Sequence, residues 1–216
     1  MTAVVAIYSP ERGVGRTTLA INLAWCAAQA GHRTLLWDLD PNGGATRLLS
    51  RHSGGAPVPP APFPTQTDGL DLLAAPAEGW HLQLLSTSYE RIVLDCAPEL
   101  DASITRLFRS AAAILVPMNV SADAQALLDD VVGRLDAAKA RKAPLLPVFT
   151  KADRRRASHR EAIASLTEWP MIPYAGAVGA TSGTGAALGK IAPRSPAARA
   201  FASLWSGVDR RLERRP

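Results

Sequence analysis

The sequence predicts an α/β fold with a doubly wound, mostly parallel sheet that is covered by helices on both faces. The apolar runs that read as strands lack the alternation of a half-exposed strand, and segments of helical periodicity separate most of them. The chain has 216 residues, of which 47% are hydrophobic, so it can bury one substantial core. We therefore expect a single domain over residues 1–216.

The predicted elements begin at the N-terminus with a strand, a loop and a helix. Residues 3–8 are apolar and end at Ser9-Pro10, and residues 17–30 have a helical pattern that Gly31 closes. Apolar runs predict further strands at residues 34–37, 92–94, 113–116 and 145–149, and helical periodicity predicts a helix at residues 122–140. Residues 53–64 contain two glycines and five prolines, which predicts a surface loop without regular structure.

The last segment, residues 195–213, is predicted to be a basic amphipathic helix. Ser195-Pro196 has the form of an N-cap followed by proline at the first helical position. At about 100° per residue, five apolar side chains share one face and three arginines lie on the opposite face. The apolar face consists of Phe201, Leu204, Trp205, Val208 and Leu212, and the basic face of Arg199, Arg210 and Arg214.

The formal net charge of +5 is concentrated near the C-terminus. From Lys190 onward seven basic residues stand against two acidic ones, whereas the preceding part of the chain has 17 of each sign. A second basic cluster consists of Lys151, Arg154, Arg155, Arg156 and Arg160. Both patches fit a polyanionic partner, and a solvated, arginine-rich surface is the alternative.

The sequence contains no segment that indicates a membrane span or an export signal. No run approaches the roughly 18 apolar residues that a span needs, so we expect a soluble, cytoplasmic protein. Cys26 and Cys96 lie inside apolar stretches without metal-ligand or redox spacing. We expect both to be small buried side chains in a reducing compartment.

A candidate phosphate-binding loop lies between the first strand and the first helix. Residues 11–18 read Glu-Arg-Gly-Val-Gly-Arg-Thr-Thr. The glycines let backbone N–H groups converge on phosphate oxygens, the helix N-terminus adds positive potential, and a threonine hydroxyl can ligate Mg²⁺. An acidic pair, Asp38 and Asp40, follows the second strand, and Asp95 ends a later one. Together these motifs predict a nucleotide site.

With these motifs the chain resembles the ParA/MinD family of deviant Walker A P-loop ATPases. The family sequence Lys-Gly-Gly-Val-Gly-Lys-Thr-Thr followed by Asn-Leu-Ala is matched by residues 11–18 and 22–24. The Asp-x-Asp-Pro-Gln motif of the family is matched by residues 38–42, and its Walker B strand by residues 89–98. The likeness continues through residues 116–117, 150–154, 172–173 and 195–198, in the family's order.

The resemblance implies binding of ATP or ADP with Mg²⁺ and assigns a role to individual residues. The nucleotide-binding residues would be Arg12, Gly13, Val14, Gly15, Arg16, Thr17, Thr18 and Pro173. Thr17 would hold the metal, while Asp38 and Asp95 would order its water shell. Asp40 would position the attacking water, and Arg16 and Arg12 are the candidate catalytic cations.

Three substitutions depart from the family pattern. Arg16 replaces the P-loop lysine. A broad, planar guanidinium then stands in place of a compact ammonium, so the change is not conservative. Glu11 replaces the lysine that reaches across a nucleotide-sandwiched dimer, and a carboxylate there would repel the phosphate charge. Arg12 replaces a glycine where the two subunits approach, so it either obstructs the homodimer or acts as the cation supplied in trans. We expect altered, weak ATPase activity.

The sequence leaves three functions open. The first is a ParA-like partition or positioning protein that is controlled by nucleotide, binds DNA non-specifically on the nucleoid, and works with a ParB-like or cargo adaptor protein. The DNA-binding residues would be Arg154, Arg155, Arg156, Arg199, Arg210 and Arg214. The second is a catalytically degenerate scaffold that acts through protein–protein interaction. The third is a GTPase, because Thr150-Lys151-Ala152-Asp153 resembles a guanine-reading loop.

Overall fold

The computed structural model describes residues 2–50, 59–74, 81–140, 142–176 and 184–214. Within these ranges it contains eight strands and eight helices that largely alternate along the chain. The strands are β1 Ala3–Ile7, β2 Thr34–Asp38, β3 Phe63–Pro64, β4 Leu70–Leu73, β5 Arg91–Asp95, β6 Ala113–Asn119, β7 Leu145–Ala152 and β8 Met171–Pro173. The helices are α1 Arg16–Gln29, α2 Gly44–Leu49, α3 Leu82–Leu85, α4 Ala102–Ser110, α5 Ala124–Ala137, α6 Ala157–Ser165, α7 Leu188–Ile191 and α8 Pro196–Glu213.

The strands form one sheet in the order β3-β4-β2-β5-β1-β6-β7-β8, and every neighbouring pair is parallel except β3 with β4. The predicted doubly wound, mostly parallel fold is therefore confirmed. The register pairs Ile7 with Asp95 and Asp38 with Asp95, which brings the carboxyl ends of β1, β2 and β5 together. Ligands of open α/β sheets bind at such an edge.

Each central strand is buried on both faces, which explains its continuous apolar sequence. Val5 and Ile7 of β1 pack on the side covered by α1 and α8. Val4 and Ala6 pack on the other side, where α4 and α5 contribute Phe108 and Leu135. Alternate residues thus enter two different apolar layers.

The prediction of a surface loop at residues 53–64 is wrong for its last two residues. Phe63 and Pro64 pair antiparallel with Leu72 and Asp71 of β4, and β3 is the first strand of the sheet in the described residues. Proline is tolerated there because an edge strand has one side without ladder hydrogen bonds. Residues 53–58 of the predicted loop lie outside the described part of the chain.

The C-terminal helix α8 has the predicted cap and the predicted buried face. Ser195 Oγ accepts a hydrogen bond from the Ala198 amide at 3.1 Å, and Pro196 occupies the first turn. The five apolar side chains predicted to share one face are all buried. The arginines predicted for the opposite face, Arg199, Arg210 and Arg214, are exposed.

A buried ion pair fixes α8 to the sheet. Arg91 at the start of β5 is 7% exposed and its guanidinium lies 2.8 Å from Asp209 of α8. His32, in the connection between α1 and β2, contacts the other oxygen of the same carboxylate at 3.2 Å. In the described ranges, the helices lack the length and apolar character needed to cross a membrane.

Candidate functional site

The loop between β1 and α1 has the backbone conformation of an anion cradle. Gly13 and Gly15 have φ values of +71° and +100°, which only glycine adopts without strain. Gly15 is the N-cap of α1, and neither a side-chain cap nor an acidic residue occupies the first turn of this helix. The N-terminus of α1 therefore presents backbone N–H groups and positive potential to an anion.

Arg16 joins this loop to the end of β2. Its guanidinium donates a hydrogen bond to the carbonyl of Ser9 at 2.6 Å and lies 3.4 Å from Oδ2 of Asp40. The side chain is only 10% exposed, so the cation is held at the base of the loop. The structure thus brings together Arg16 and Asp40, two of the residues predicted to be catalytic.

Asp38 and Asp40 are both bound to protein donors. Asp38 Oδ2 accepts from the amide and the hydroxyl of Thr46 in α2, at 2.8 and 2.7 Å, and Oδ1 accepts from the Asp40 amide at 3.2 Å. Burial raises the pKa of Asp38, and the bonds from Thr46 oppose the shift. Asp40 Oδ1 accepts from the amide and the side chain of Asn42 at 2.9 and 2.8 Å.

Asp95 differs from this pair because both of its carboxylate oxygens are buried without a hydrogen bond. Burial raises the pKa of Asp95 to about 7, the neighbouring charge of Asp38 adds to the shift, and the Thr17 hydroxyl and Arg16 oppose it. The Thr17 hydroxyl is near enough to influence the carboxyl, although no hydrogen bond of ordinary geometry joins the two. A buried, unpartnered carboxylate beside a threonine hydroxyl fits the donor set of a hydrated Mg²⁺ ion.

The start of α2 limits the room around Thr17. A Cβ atom at Gly44 would lie 2.8 Å from Thr17 Oγ1, closer than ordinary contact allows. Gly44 therefore lies against the site, and it was not among the residues predicted from the sequence. The adjacent glycine pair after the Asp38–Asp40 motif, at residues 43–44, was the available signal.

A pocket of about 190 Å³ adjoins the phosphate loop. Four of the predicted nucleotide-binding residues line it, namely Val14, Gly15, Thr18 and Pro173. The remaining walls come from α1, from the end of β7, from β8 and the segment that follows it, and from α8. These residues are Leu19, Thr150, Lys151, Ile172, Tyr174, Ala175, Gly176 and Phe201.

Two consecutive residues at the end of β7 hold the phosphate loop. The Thr150 hydroxyl donates to the Val14 carbonyl at 2.7 Å, and the Lys151 ammonium donates to the Gly13 carbonyl. Lys151 has a φ of +52°, a left-handed conformation that is uncommon for lysine. The sequence placed these residues in the resemblance over 150–154 and in the guanine-reading alternative, and Lys151 also in a basic cluster, but it did not predict their contact with the loop.

A comparison with models of protein families identifies the family of the chain. The model described as the CobQ/CobB/MinD/ParA nucleotide binding domain matches residues 5–190. The chain belongs to this family. The matched range contains the phosphate loop, the acidic residues at the strand ends and both residues that clamp the loop.

Proteins similar to this family member were found among curated sequences and among solved structures. The chromosome partitioning protein ParA of Caulobacter vibrioides is 31% identical over 147 residues, which are 53% of this chain and 55% of the relative, so that match spans about half of each protein. The chromosome-partitioning ATPase Soj of Thermus thermophilus is 28% identical over 97% of this chain and 96% of its own length. The structure is similar to cobyrinic acid a,c-diamide synthase from Mycobacterium smegmatis with bound ADP and magnesium, with a TM-score of 0.76, 20% identity and coverage of 99% and 96%.

Two departures from the ParA/MinD pattern lie on the outer side of the phosphate loop in this family member. Glu11 accepts a hydrogen bond from the Asn119 side chain at the end of β6. Arg12 forms an ion pair with Glu99 at 2.6 Å, and the two side chains are 70% and 66% exposed. The guanidinium of Arg12 therefore lies at the surface against Glu99, and a role as a cation in trans stays a prediction.

The residues predicted to bind DNA occupy different environments. The side chain of Arg155 makes two hydrogen bonds to Asp153, at 2.9 and 3.0 Å, whereas Arg156 is exposed at the N-cap of α6. Arg154 lies against the sulfur of Met171 in β8 at 3.8 Å. Met171 lines a surface groove together with Arg211 of α8, so Arg154 and the C-terminal half of α8 occupy neighbouring surface.

Proposed function

We propose that this chain is a ParA-like partition or positioning protein that binds Mg²⁺-ATP and, in its nucleotide-bound form, binds DNA without sequence preference. The observation that carries the proposal is the set formed by the glycine loop, Thr17 and the unpartnered carboxylate of Asp95 at one edge of the sheet. The likeness to Soj of Thermus thermophilus along almost the whole chain supports partitioning as the biological role.

The residues present have the chemistry that a magnesium nucleotide requires. Backbone N–H groups of the loop would bind the phosphates, and the Thr17 hydroxyl would ligate Mg²⁺. Asp95 would hold water in the metal's shell. The bound metal would neutralise charge on the phosphates during hydrolysis.

Arg16 would bind phosphate with a different geometry from that of the family lysine. Its guanidinium is shared between Ser9 and Asp40, so it must leave one of these partners to reach a phosphate. Releasing Asp40 frees the carboxylate that would orient the attacking water. We infer that nucleotide binding is retained and that turnover is slow, because the planar fork of arginine must be placed where a compact ammonium normally acts.

The exposed arginines of α8 and the residues 154–156 would contact DNA phosphates. Such contacts release counterions and give an affinity that falls steeply with salt. A ParB-like or cargo adaptor would then couple the DNA-bound state to transport, and DNA binding would place the protein on the nucleoid in the cytoplasm. A homodimer would require that Arg12 and Glu99 be accommodated where the two subunits meet.

The test is a titration of unrelated DNA duplexes with Mg²⁺-ATP at several salt concentrations. We expect similar affinity for all sequences, a steep loss of affinity with salt, and weaker binding when Arg199, Arg210 and Arg214 are changed to alanine. Arg134→Ala is the matched control, because Arg134 is an exposed arginine of α5 paired with Asp130 at 2.7 Å. Absence of DNA binding, or binding that ignores salt, would overturn the DNA part of the proposal.

A GTPase is the second candidate, and one observation favours it. Thr150 and Lys151 clamp the phosphate loop from the end of β7, and Asp153 follows two residues later. In a GTPase, the carboxylate of Asp153 would accept hydrogen bonds from the two N–H donors on the edge of guanine. Asp153 is bound to Arg155 through both oxygens, which opposes this use. An unchanged melting temperature with Mg²⁺-GTP, compared with a rise with Mg²⁺-ATP, would dismiss the GTPase.

The degenerate scaffold remains the candidate for a chain that binds no nucleotide. Glu11 and Arg12 support it, because both place beside the loop a charge that differs from the ParA/MinD pattern. The unpartnered Asp95 argues against it, since a buried carboxylate without a partner is unfavourable in a site that binds nothing.

A further inference from the structure

The pocket of about 190 Å³ beside the phosphate loop lies where the base of a bound nucleotide would go. Val14, Gly15 and Thr18 form the end next to the loop, so phosphates held by the loop would direct the rest of the nucleotide into the pocket. Pockets that enclose a whole drug-sized ligand measure roughly 300 to 1,000 Å³, so this smaller space suits one ring system. We call it the base pocket.

Part of the wall of the base pocket is apolar and buried. Leu19 of α1, Ile172 of β8 and Phe201 of α8 line it, and each of them is at most 5% exposed. These side chains also belong to the core on one face of the sheet, so their neighbours hold them in place. A flat aromatic base would gain dispersion contacts and apolar burial against this wall.

Tyr174 forms the solvent-exposed part of the lining. Its side chain is large and the residue is 61% exposed. The Tyr174 amide donates to the Ala152 carbonyl at 2.8 Å, which fixes the backbone from which the ring extends. The two residues that follow in the lining, Ala175 and Gly176, have little or no side chain. Tyr174 is therefore the residue of this segment that can cover a base, and an aromatic ring stacks on any base because every base has a π-face.

The lining offers little that would read the edge of a base. Among the described residues, those that line the pocket include no carboxylate and no carboxamide side chain, the groups that pair with the amino and oxo substituents of bases. The Thr150 hydroxyl lies 2.7 Å from the Val14 carbonyl and 3.2 Å from the Met118 carbonyl, which share its one proton. The Lys151 ammonium is bonded to the Gly13 carbonyl. A pocket of this kind separates ligands mainly by size and shape.

We propose that Tyr174 stacks on the base of the bound nucleotide, and that the base pocket selects purine over pyrimidine nucleotides while it accepts adenine and guanine alike. The inference rests on the proposed function, because the phosphates of the same nucleotide occupy the loop. Tyr174 is a specificity-determining residue in this scheme. It contacts the base and takes no part in hydrolysis.

Guanine enters the base pocket without being read by Asp153. This residue of the guanine-reading alternative is not part of the pocket lining, and both of its carboxylate oxygens are bonded to Arg155. A rise in melting temperature with Mg²⁺-GTP would then reflect a pocket that admits both purines.

The inference fixes the relative affinities of different nucleotides. ADP and GDP bind within about tenfold of each other, whereas CDP binds more than about tenfold more weakly than ADP, because its single ring leaves part of the pocket unfilled. Tyr174→Ala lowers the affinity for ADP and for GDP by about 5- to 100-fold, the range that corresponds to the loss of one contact between a base and an aromatic side chain.

The experiment measures the affinities of the chain for the Mg²⁺ complexes of ADP, GDP, CDP and pyrophosphate by titration calorimetry. Pyrophosphate is the probe that lacks a base. The variants are Tyr174→Ala, Tyr174→Phe, which keeps the ring without its hydroxyl, and Leu127→Ala, which truncates an exposed apolar side chain of α5. We expect Tyr174→Ala to weaken the binding of ADP and GDP but not of pyrophosphate, and the other two variants to bind like the wild type.

Several results would overturn the inference and leave nucleotide binding in place. These are a difference of more than about tenfold between ADP and GDP, a CDP affinity within about tenfold of that for ADP, or wild-type affinity for ADP in Tyr174→Ala. Weakened binding in Tyr174→Phe would assign the contact to the hydroxyl, and weakened pyrophosphate binding in Tyr174→Ala would assign the effect to the phosphate loop. Absence of binding for all four ligands would overturn the proposed function together with the inference.

Discussion

The guanidinium of Arg16 lies 3.4 Å from the carboxylate of Asp40, with both side chains about 10% exposed. The cation that replaces the P-loop lysine is therefore bound to the carboxylate that would orient water. A phosphate bound at the loop would compete with Asp40 for the same guanidinium, so nucleotide binding would be linked to the position of Asp40. This relationship underlies the expectation of slow turnover.

Gly44 should tolerate no side chain. Gly44→Ala places a Cβ atom 2.8 Å from Thr17 Oγ1, so either Thr17 or α2 must shift. We expect stability to fall by about 1 to 3 kcal/mol and Mg²⁺-nucleotide affinity to fall with it. Urea unfolding and calorimetry measure the two effects.

Gly133→Ala is the matched control for this change. Gly133 lies inside α5 with nothing within 4 Å of a new Cβ, so alanine there should stabilise the chain by about 0.5 to 1 kcal/mol. Equal effects of the two substitutions would contradict the close approach of α2 to Thr17.

Asp95→Asn should remove the magnesium dependence of nucleotide binding. The amide keeps the size of the carboxyl but lacks the charge that orders a hydrated cation. We expect Mg²⁺ to tighten ADP binding to the wild-type chain and to have little effect on the variant. Calorimetry in Mg²⁺ and in chelator gives both values, and an unchanged magnesium effect in the variant would place the metal elsewhere.

Asp209→Ala should destabilise the docking of α8. It leaves Arg91 buried and without its carboxylate partner, and removal of one member of a buried pair costs about 3 to 5 kcal/mol. Glu213→Ala, on the exposed face of the same helix, should change stability by less than about 0.5 kcal/mol. Similar unfolding midpoints for the two variants would show that the ion pair does not hold α8.

Cys26 should stay unreactive in the folded chain. Burial raises the pKa of its thiol to about 12, so the thiolate is scarce until strongly alkaline pH. Because the unfolded thiol ionises near its ordinary value of 9.0, this group's contribution to stability is present at neutral pH and is lost as pH rises from 9 towards 12. A thiol reagent at pH 8 should label a Cys96→Ala chain only after unfolding. Rapid labelling of the folded chain would contradict the burial of Cys26.

The sequence predicted the fold because the central strands are buried on both sides and remain apolar throughout. It also predicted the phosphate loop and the three aspartates, because the chemistry of phosphate and Mg²⁺ requires those residue types. These features depend on local pattern or on residue type alone. The fold was therefore accessible before the structure, and so was the meeting of these residues at one edge of the sheet, whereas their roles stay predictions.

Strands β6 and β7 extend three residues past their predicted ends at residues 116 and 149, and each of them contains a proline. β1 pairs with β6 only over residues 113–115 of β6. The ladder with β1 therefore needs no amide hydrogen at Pro117, which has none. The ladder between β7 and β8 begins at Phe149, so it needs no amide hydrogen at Pro147. Strand β4 was missed because Asp71, which accepts from the Tyr89 hydroxyl at 2.7 Å, interrupts its apolar run.

The contacts that organise the site could not be predicted, because each joins residues that are distant in sequence. The Lys151 ammonium reaches Gly13, and the Thr150 hydroxyl reaches Val14, only after β7 has been placed in the sheet. The closeness of Gly44 to Thr17 depends on the angle at which α2 leaves β2. Sequence pattern specifies the elements, whereas these contacts follow from their packing.

The most direct test of a nucleotide-controlled protein is calorimetric titration of Mg²⁺-ATP into the wild-type chain and Arg16→Ala, with turnover followed in the same samples. We predict saturable binding with slow hydrolysis in the wild type, and an affinity about 10 to 100 times lower in the variant, since a charge-assisted hydrogen bond to phosphate contributes roughly 1.5 to 3 kcal/mol. Absence of binding at millimolar nucleotide would contradict the proposal and would indicate a scaffold that acts through protein partners.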